Sequence, residues 1–205
     1  MERKGRFIVL EGPDGCGKST QTRLLAERLK GAGREVEVVR DPGGTPIGEA
    51  IRGILLNRDF AEMSVRTEML LYMASRAQLV AERIEPGLAE GRIILSDRFL
   101  TSTIVYQGLA GGLDVEQIER LYEAGCGKMR PDLVVVLDVP VEVGRARMAR
   151  GLDRMESKSV AFHERVRQGY LKAAQQAGTP HVVIDGSGSV ESTAQAIWKV
   201  VEDVF

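Results

Sequence analysis

Two glycines, a lysine and a hydroxyl residue are spaced along Gly12-Pro13-Asp14-Gly15-Cys16-Gly17-Lys18-Ser19 so that they can surround a chain of phosphates. Glycines let backbone N–H groups close on phosphate oxygens, and a helix that starts at the end of such a loop adds a partial positive charge. Lys18 can reach the β- and γ-phosphates of a nucleoside triphosphate, Ser19 can offer its hydroxyl to Mg²⁺, and Thr20 continues the same surface. The chemistry is triphosphate binding, with transfer of the terminal phosphate expected. Cys16 is read as a small residue at a helix start with no redox role.

A second set of residues suits anions. Ile93-Ile94-Leu95-Ser96 is an apolar run that ends in Asp97-Arg98. An arginine at the carboxyl end of a parallel strand faces the ligand crevice. Arg40 stands just before Pro42-Gly43-Gly44, again at the end of an aliphatic run. Tyr72 and Arg76 are four residues apart, which puts both on one helix face. Arg145, Arg147, Arg150 and Arg154 crowd around Gly151. Alone, that cluster is a solvated helix end favoured by the helix dipole. Beside a phosphate loop it reads as a basic lid at about residues 144–157, because phosphoryl transfer depends on charge brought to the transferring oxygens. His163 and His181 match no ligand spacing and are read as structural.

These groups need a scaffold that alternates strand and helix. Phe7–Leu10, Glu35–Val39, Ile93–Leu95, Leu133–Leu137 and His181–Ile184 read as short buried strands. Helical spacing fills Lys18–Leu29, Ile47–Leu56, Val65–Glu90 with a break near Pro86, Leu100–Tyr106, Val115–Ala124, Val141–Arg150, Val160–Ala177 and Val190–Val204. The expected fold is α/β: a parallel five-stranded sheet with helices on both faces. Gly186-Ser187-Gly188-Ser189 reads as a loop between the last strand and the last helix, and no segment marks a domain boundary.

With 205 residues, the expectation is a single domain, 1–205. A net charge of -1 argues against a nucleic-acid polymer as partner. Two cysteines cannot form a disulfide framework, so a reduced, cytoplasmic setting is expected, and no run is long enough to cross a membrane. A guanine-nucleotide switch would match Asp41-Pro42-Gly43-Gly44, but Asn-Lys-x-Asp is missing. A motor or transporter ATPase would end its third strand in an acidic pair, not in Asp97-Arg98.

In order and spacing, the phosphate loop, Arg40-Asp41-Pro42-Gly43-Gly44-Thr45, Tyr72-Met73-Ala74-Ser75-Arg76-Ala77, Ser96-Asp97-Arg98-Phe99, Tyr106-Gln107-Gly108, Leu137-Asp138-Val139-Pro140 and Leu152-Asp153-Arg154-Met155-Glu156 resemble the thymidylate kinases. The resemblance covers nearly the whole chain. It implies a P-loop fold of the nucleoside monophosphate kinase type, transfer of the γ-phosphate of ATP to dTMP, Mg²⁺ as cofactor and a homodimer. It also implies roles. Asp14 touches the acceptor sugar and the metal region, and Arg40 and Arg98 hold the acceptor phosphate. Tyr72 stacks on the base, Arg76 and Thr103 read it, Gln107 lies beside it, and Tyr106 disfavours ribonucleotides. Asp97 orders the metal waters with Ser19. The family has two arrangements, one with an arginine in the loop and one with a basic lid. Gly15 places this chain with the second, so Arg150 and Arg154 are expected to close over the donor phosphates with Arg147 in support. Another small-molecule kinase of this fold, or a nucleotide-binding regulator without transfer activity, are the alternatives.

Overall fold

The computed structural model describes residues 5–148, 152–176 and 178–204. The strands are β1 (Arg6–Glu11), β2 (Val36–Arg40), β3 (Ile93–Asp97), β4 (Leu133–Asp138) and β5 (His181–Asp185). They form one parallel sheet in the order β2-β3-β1-β4-β5. The helices are α1 (Lys18–Gly31), α2 (Pro46–Leu56), α3 (Val65–Leu79), α4 (Glu85–Ala89), α5 (Leu100–Thr103), α6 (Val115–Cys126), α7 (Val141–Arg147), α8 (Val160–Gln176) and α9 (Val190–Val201). The three inner strands β1, β3 and β4 are apolar along most of their length because both faces are covered, whereas the edge strands β2 and β5 are only partly buried. Successive side chains enter different cores. Phe7, Val9, Ile94, Val134 and Val136 meet Met69, Met73, Tyr122, Val166 and Tyr170. Ile8, Leu10, Leu95, Val135 and Leu137 meet Leu25 and Leu29 of α1 and Ile197 and Val201 of α9. Each such aliphatic side chain contributes about 1.5–3 kcal/mol by leaving water.

The register places the chemistry. Asp97 on β3 is level with Leu10 on β1 and with Arg40 on β2. The loop after β1, the turn after β3 and the end of β2 therefore leave the same edge of the sheet together. Helix starts are fixed locally: Thr45, Ser64 and Ser189 each accept a backbone N–H of the first turn of α2, α3 and α9. The expected break near Pro86 takes another form. The helix continues from α3 to α4 through a π-helical turn at Val80–Ile84, and Pro86 sits in the first turn of α4. Proline has no N–H to donate, and the widened turn just before it absorbs that loss. A second π-helical turn, Ile104–Leu109, extends α5 past the expected end at Tyr106. α7 stops at Arg147, short of Arg150.

Candidate active site

The loop from Gly12 to Ser19 turns from β1 into α1. Gly17 has φ 97° at the helix start, a left-handed conformation that glycine adopts without strain. Gly15 has φ 75°, and a Cβ there would lie 2.1 Å from the carbonyl oxygen of Gly144 on α7. The loop position that the resemblance marks for an arginine is thus filled by backbone. Lys18 is buried, and its ammonium donates to the carbonyls of Gly12 (3.1 Å) and Pro13 (2.9 Å). The Ser19 hydroxyl donates to Asp97 Oδ2 at 2.7 Å. That hard oxygen pair at a helix start fits Mg²⁺, which takes one or two protein oxygens and draws the rest of its shell from phosphates and water. Among the described residues no group of three His, Cys, Asp or Glu gathers to hold a metal by itself.

Arg98 lies at the centre of the second set. Its φ of 71° is left-handed, a strained conformation for a side-chain-bearing residue. The strain is held by Arg98 N donating to Leu10 O (3.0 Å) and by Ser96 Oγ donating to Arg98 O (2.6 Å). The guanidinium pairs with Asp14 and donates to Gly12 O (3.0 Å), Ser102 Oγ (3.1 Å) and Tyr170 OH (2.7 Å). Tyr106 OH donates to the other oxygen of Asp14 at 2.8 Å. Burial works against an ionised Asp14, but the charges of Arg98 and Lys18 outweigh it, and the carboxyl lies below its ordinary range. Beneath this layer, fully buried Glu11 accepts from Phe99 N (2.9 Å), Ser102 N (3.1 Å), Ser102 Oγ (2.5 Å) and Tyr170 OH (3.1 Å). Burial raises its pKa above the ordinary value despite Arg98.

A third group sits opposite. Half-buried Tyr72, with Arg76, Thr103 and Gln107, lines the same cavity. Arg76 is only 1% exposed. Its Nε donates to Asp41 Oδ2 at 2.5 Å and its Nη2 to Thr103 Oγ1 at 2.8 Å, so most of its donors serve the protein. Arg40, held by Glu49 Oε2 at 2.6 Å, and Arg52, which donates to Pro42 O at 3.0 Å, bring positive charge to this wall. Burial and the charge of Arg40 lower the pKa of Arg52. Two guanidinium groups on one wall are what an anion would neutralise.

The expected lid is divided. Arg147 lines the cavity and donates to Gly186 O at 3.0 Å. Arg150 lies outside the described residues. Arg154, which the resemblance implied would close over the donor phosphates, lies in this structure away from the cavity. It is 6% exposed, pairs with Glu68 Oε2 at 2.7 Å and donates from Nε to Leu55 O at 2.7 Å. Its neighbours Asp153, Met155 and Glu156 line the cavity and Arg154 does not. The reason is electrostatic: Glu68, 1% exposed on α3, needs a cation, and a charge so buried is costly unless paired.

One cavity of about 560 Å³ reaches from the loop and α1 to Tyr72 and Thr103. Asp14, Gly15, Cys16, Gly17, Lys18, Ser19, Thr20, Asp97, Arg98 and Tyr106 border it, whereas Gly12 and Pro13 act from behind through their carbonyls. Sequence reasoning missed Glu11, Arg52, Glu68 and Tyr170. It also read Gly186–Ser189 as a plain connection, though Gly186, Gly188 and Ser189 line the cavity together with residues of α1. His163 bonds to Glu156 O (3.2 Å) and His181 to Thr179 O (2.9 Å).

Comparison with known proteins agrees with this geometry. The family model described as thymidylate kinase matches residues 10–197. A thymidylate kinase of Geobacter sulfurreducens is 49% identical over 207 residues, covering 96% of each chain. One of Pseudomonas putida is 48% identical over 195 residues, covering 94% of this chain and 93% of its own. One of Caldanaerobacter subterraneus is 43% identical over 201 residues, covering 98% and 96%.

Proposed function

The chain belongs to the thymidylate kinase family, as an ATP-dependent nucleoside monophosphate kinase that phosphorylates dTMP, and from that premise we propose how its residues share the work. The donor triphosphate lies along the loop from Gly12 to Ser19. Lys18 moves its ammonium from the Gly12 and Pro13 carbonyls to the β- and γ-phosphates. Ser19 and Asp97 hold Mg²⁺, which when bound offsets charge on the donor phosphates. The acceptor phosphate lies among Arg40, Arg52 and Arg98. Its oxygen forms the new bond to the γ-phosphorus as the bond to the β-phosphate oxygen breaks, releasing ADP and dTDP. A doubly ionised acceptor phosphate already carries the attacking electron pair, so no protein base takes a proton.

The observation that carries this reading is the Asp14–Arg98–Tyr106 cluster. Asp14 belongs to the phosphate loop, yet it is paired with Arg98 and hydrogen-bonded to Tyr106, so one ion pair aligns the donor loop with the acceptor end. Tyr72 covers the base, with Arg76, Thr103 and Gln107 at its edge. Arg147 and Arg150 bring charge to the transferring group as the lid closes and water leaves. The protein works as a cytoplasmic homodimer.

The test is ADP release over a panel of monophosphates, first in the wild type and then in Arg98→Met. Saturable release with dTMP, little release with AMP, GMP or dCMP, and a loss of about a hundredfold or more in kcat/KM for Arg98→Met are expected. Equal release without any acceptor, or an unchanged Arg98→Met enzyme, would sink the assignment of roles.

A further inference from the structure

The chain after the basic lid is held by a joint that the reaction as described does not use. Glu68, on α3 one turn before Tyr72, is buried and holds three side chains from two other segments. Its Oε2 pairs with Arg154 (2.7 Å) and Lys158 (3.5 Å), and its Oε1 accepts from Gln107 Nε2 at 2.7 Å. Arg154 also grips the last turn of α2, donating from its backbone N to Leu56 O (3.2 Å) and from Nε to Leu55 O (2.7 Å). One guanidinium thus ties α2, α3 and the turn after the lid together.

That joint bears on the cavity in two places. A carboxylate can only accept, so the Gln107 amide must turn its nitrogen to Glu68 and its oxygen away. Arg154 also sits within the turn whose neighbours form the wall. Asp153 Oδ1 accepts from Met155 N (2.7 Å) and Glu156 N (2.9 Å), while Glu156 Oε2 accepts from Asp153 N (3.0 Å). Met155 is anchored in the core that contains Met69 and Met73.

We propose that Glu68 and Arg154 are positioning residues for the acceptor, and that the chain from about Asp153 onward is a fixed acceptor-side wall and not part of the donor lid. The donor charge then comes from upstream of the joint, where Arg147 lines the cavity. This rests on the reading of the cavity given above.

The test separates KM for dTMP from KM for ATP in Glu68→Gln, Arg154→Ala and the double variant. Each single change should raise KM for dTMP by about tenfold or more, with KM for ATP within about twofold and kcat little changed. The double variant should be no worse than the poorer single one, since both changes break one joint. If Arg154→Ala fails to fold, Glu68→Gln, which keeps the shape of the side chain, carries the same split, with its fold checked by circular dichroism. A hundredfold loss of kcat in Arg154→Ala with KM for dTMP unchanged would overturn the proposal and return Arg154 to the phosphates. Independent, additive effects, or an unchanged KM for dTMP in Glu68→Gln, would overturn it too. A wild type without dTMP-dependent turnover would remove the reading beneath it, whereas an active wild type with unaffected variants removes this inference alone.

Discussion

Lys18 and Asp14 share a loop and, in the proposed roles, serve different ends of the cavity. Lys18→Ala should leave the fold intact and cut turnover by about a hundredfold to a thousandfold, the usual cost of one preorganised charge on a transferring group, measured as steady-state ADP release. Asp14 is held below the ordinary carboxylate range by Arg98 and Lys18 against the cost of burial, so it stays ionised through the working range. The acid limb of kcat/KM for dTMP should therefore follow the substrate phosphate, near pH ~6. Tyr106→Phe, which removes one hydrogen bond from Asp14, should leave that midpoint in place; a shift of the limb would assign it to Asp14. The stability term has a definite sign. A depressed native pKa stabilises the fold above the unfolded value of about 3.9, and this is lost as pH falls through the native value. Asp14→Asn should flatten that acid limb in urea titrations at stepped pH. The residues with chemistry in a local pattern were legible in the sequence: the loop, Asp97-Arg98, and Tyr72 with Arg76. Glu11 was not, because its partner Tyr170 is 159 positions away and no spacing rule joins them. Arg52 was missed for the same reason, since only folding brings it to Pro42 and the cavity wall.

At the scale of elements, the strands were easy to read because burial on both faces leaves aliphatic runs in β1, β3 and β4 and short valine-rich runs mark the edges, and each expected strand lies within two residues of the observed one at both ends. Helix ends were harder. The turn around Val80–Ile84 depends on how the helix meets the sheet, which periodicity does not register. The lid was the least legible element, because a cluster of arginines does not say which of them finds a buried acid. Contact between elements yields a sharper expectation at Gly15. Its φ of 75°, and a Gly144 carbonyl oxygen 2.1 Å from where a Cβ would stand, leave no room for a methyl group. Gly15→Ala should cost about 1–3 kcal/mol from backbone strain, before any clash. Thermal unfolding should fall by several degrees, about 2–8 °C, and ATP affinity should fall with it. An unchanged melting temperature would mean that α7 yields easily.

For the whole molecule, two apolar cores divided by one sheet leave the helices to find any further partner. Ile47 and Ile54 on α2 and Leu70 on α3 keep large aliphatic side chains in solvent, with Leu70 about half exposed at 52%. A homodimer of the kind the resemblance implies would cover them. Leu70→Asp should then shift the sedimenting species from dimer to monomer at micromolar concentration, and a wild type that sediments as a monomer would refute the assembly. None of these surfaces was visible from composition, which only bounded the class of the protein. The contact between Gly15 and Gly144 also has a historical side. If kinases of this family can place their mobile charge either in the loop or in the lid, the passage between the two cannot begin at position 15 in a backbone like this one. An arginine there meets a main-chain carbonyl that no rotamer avoids. Helix α7 would have to retreat before an arginine could stand at position 15 of this chain.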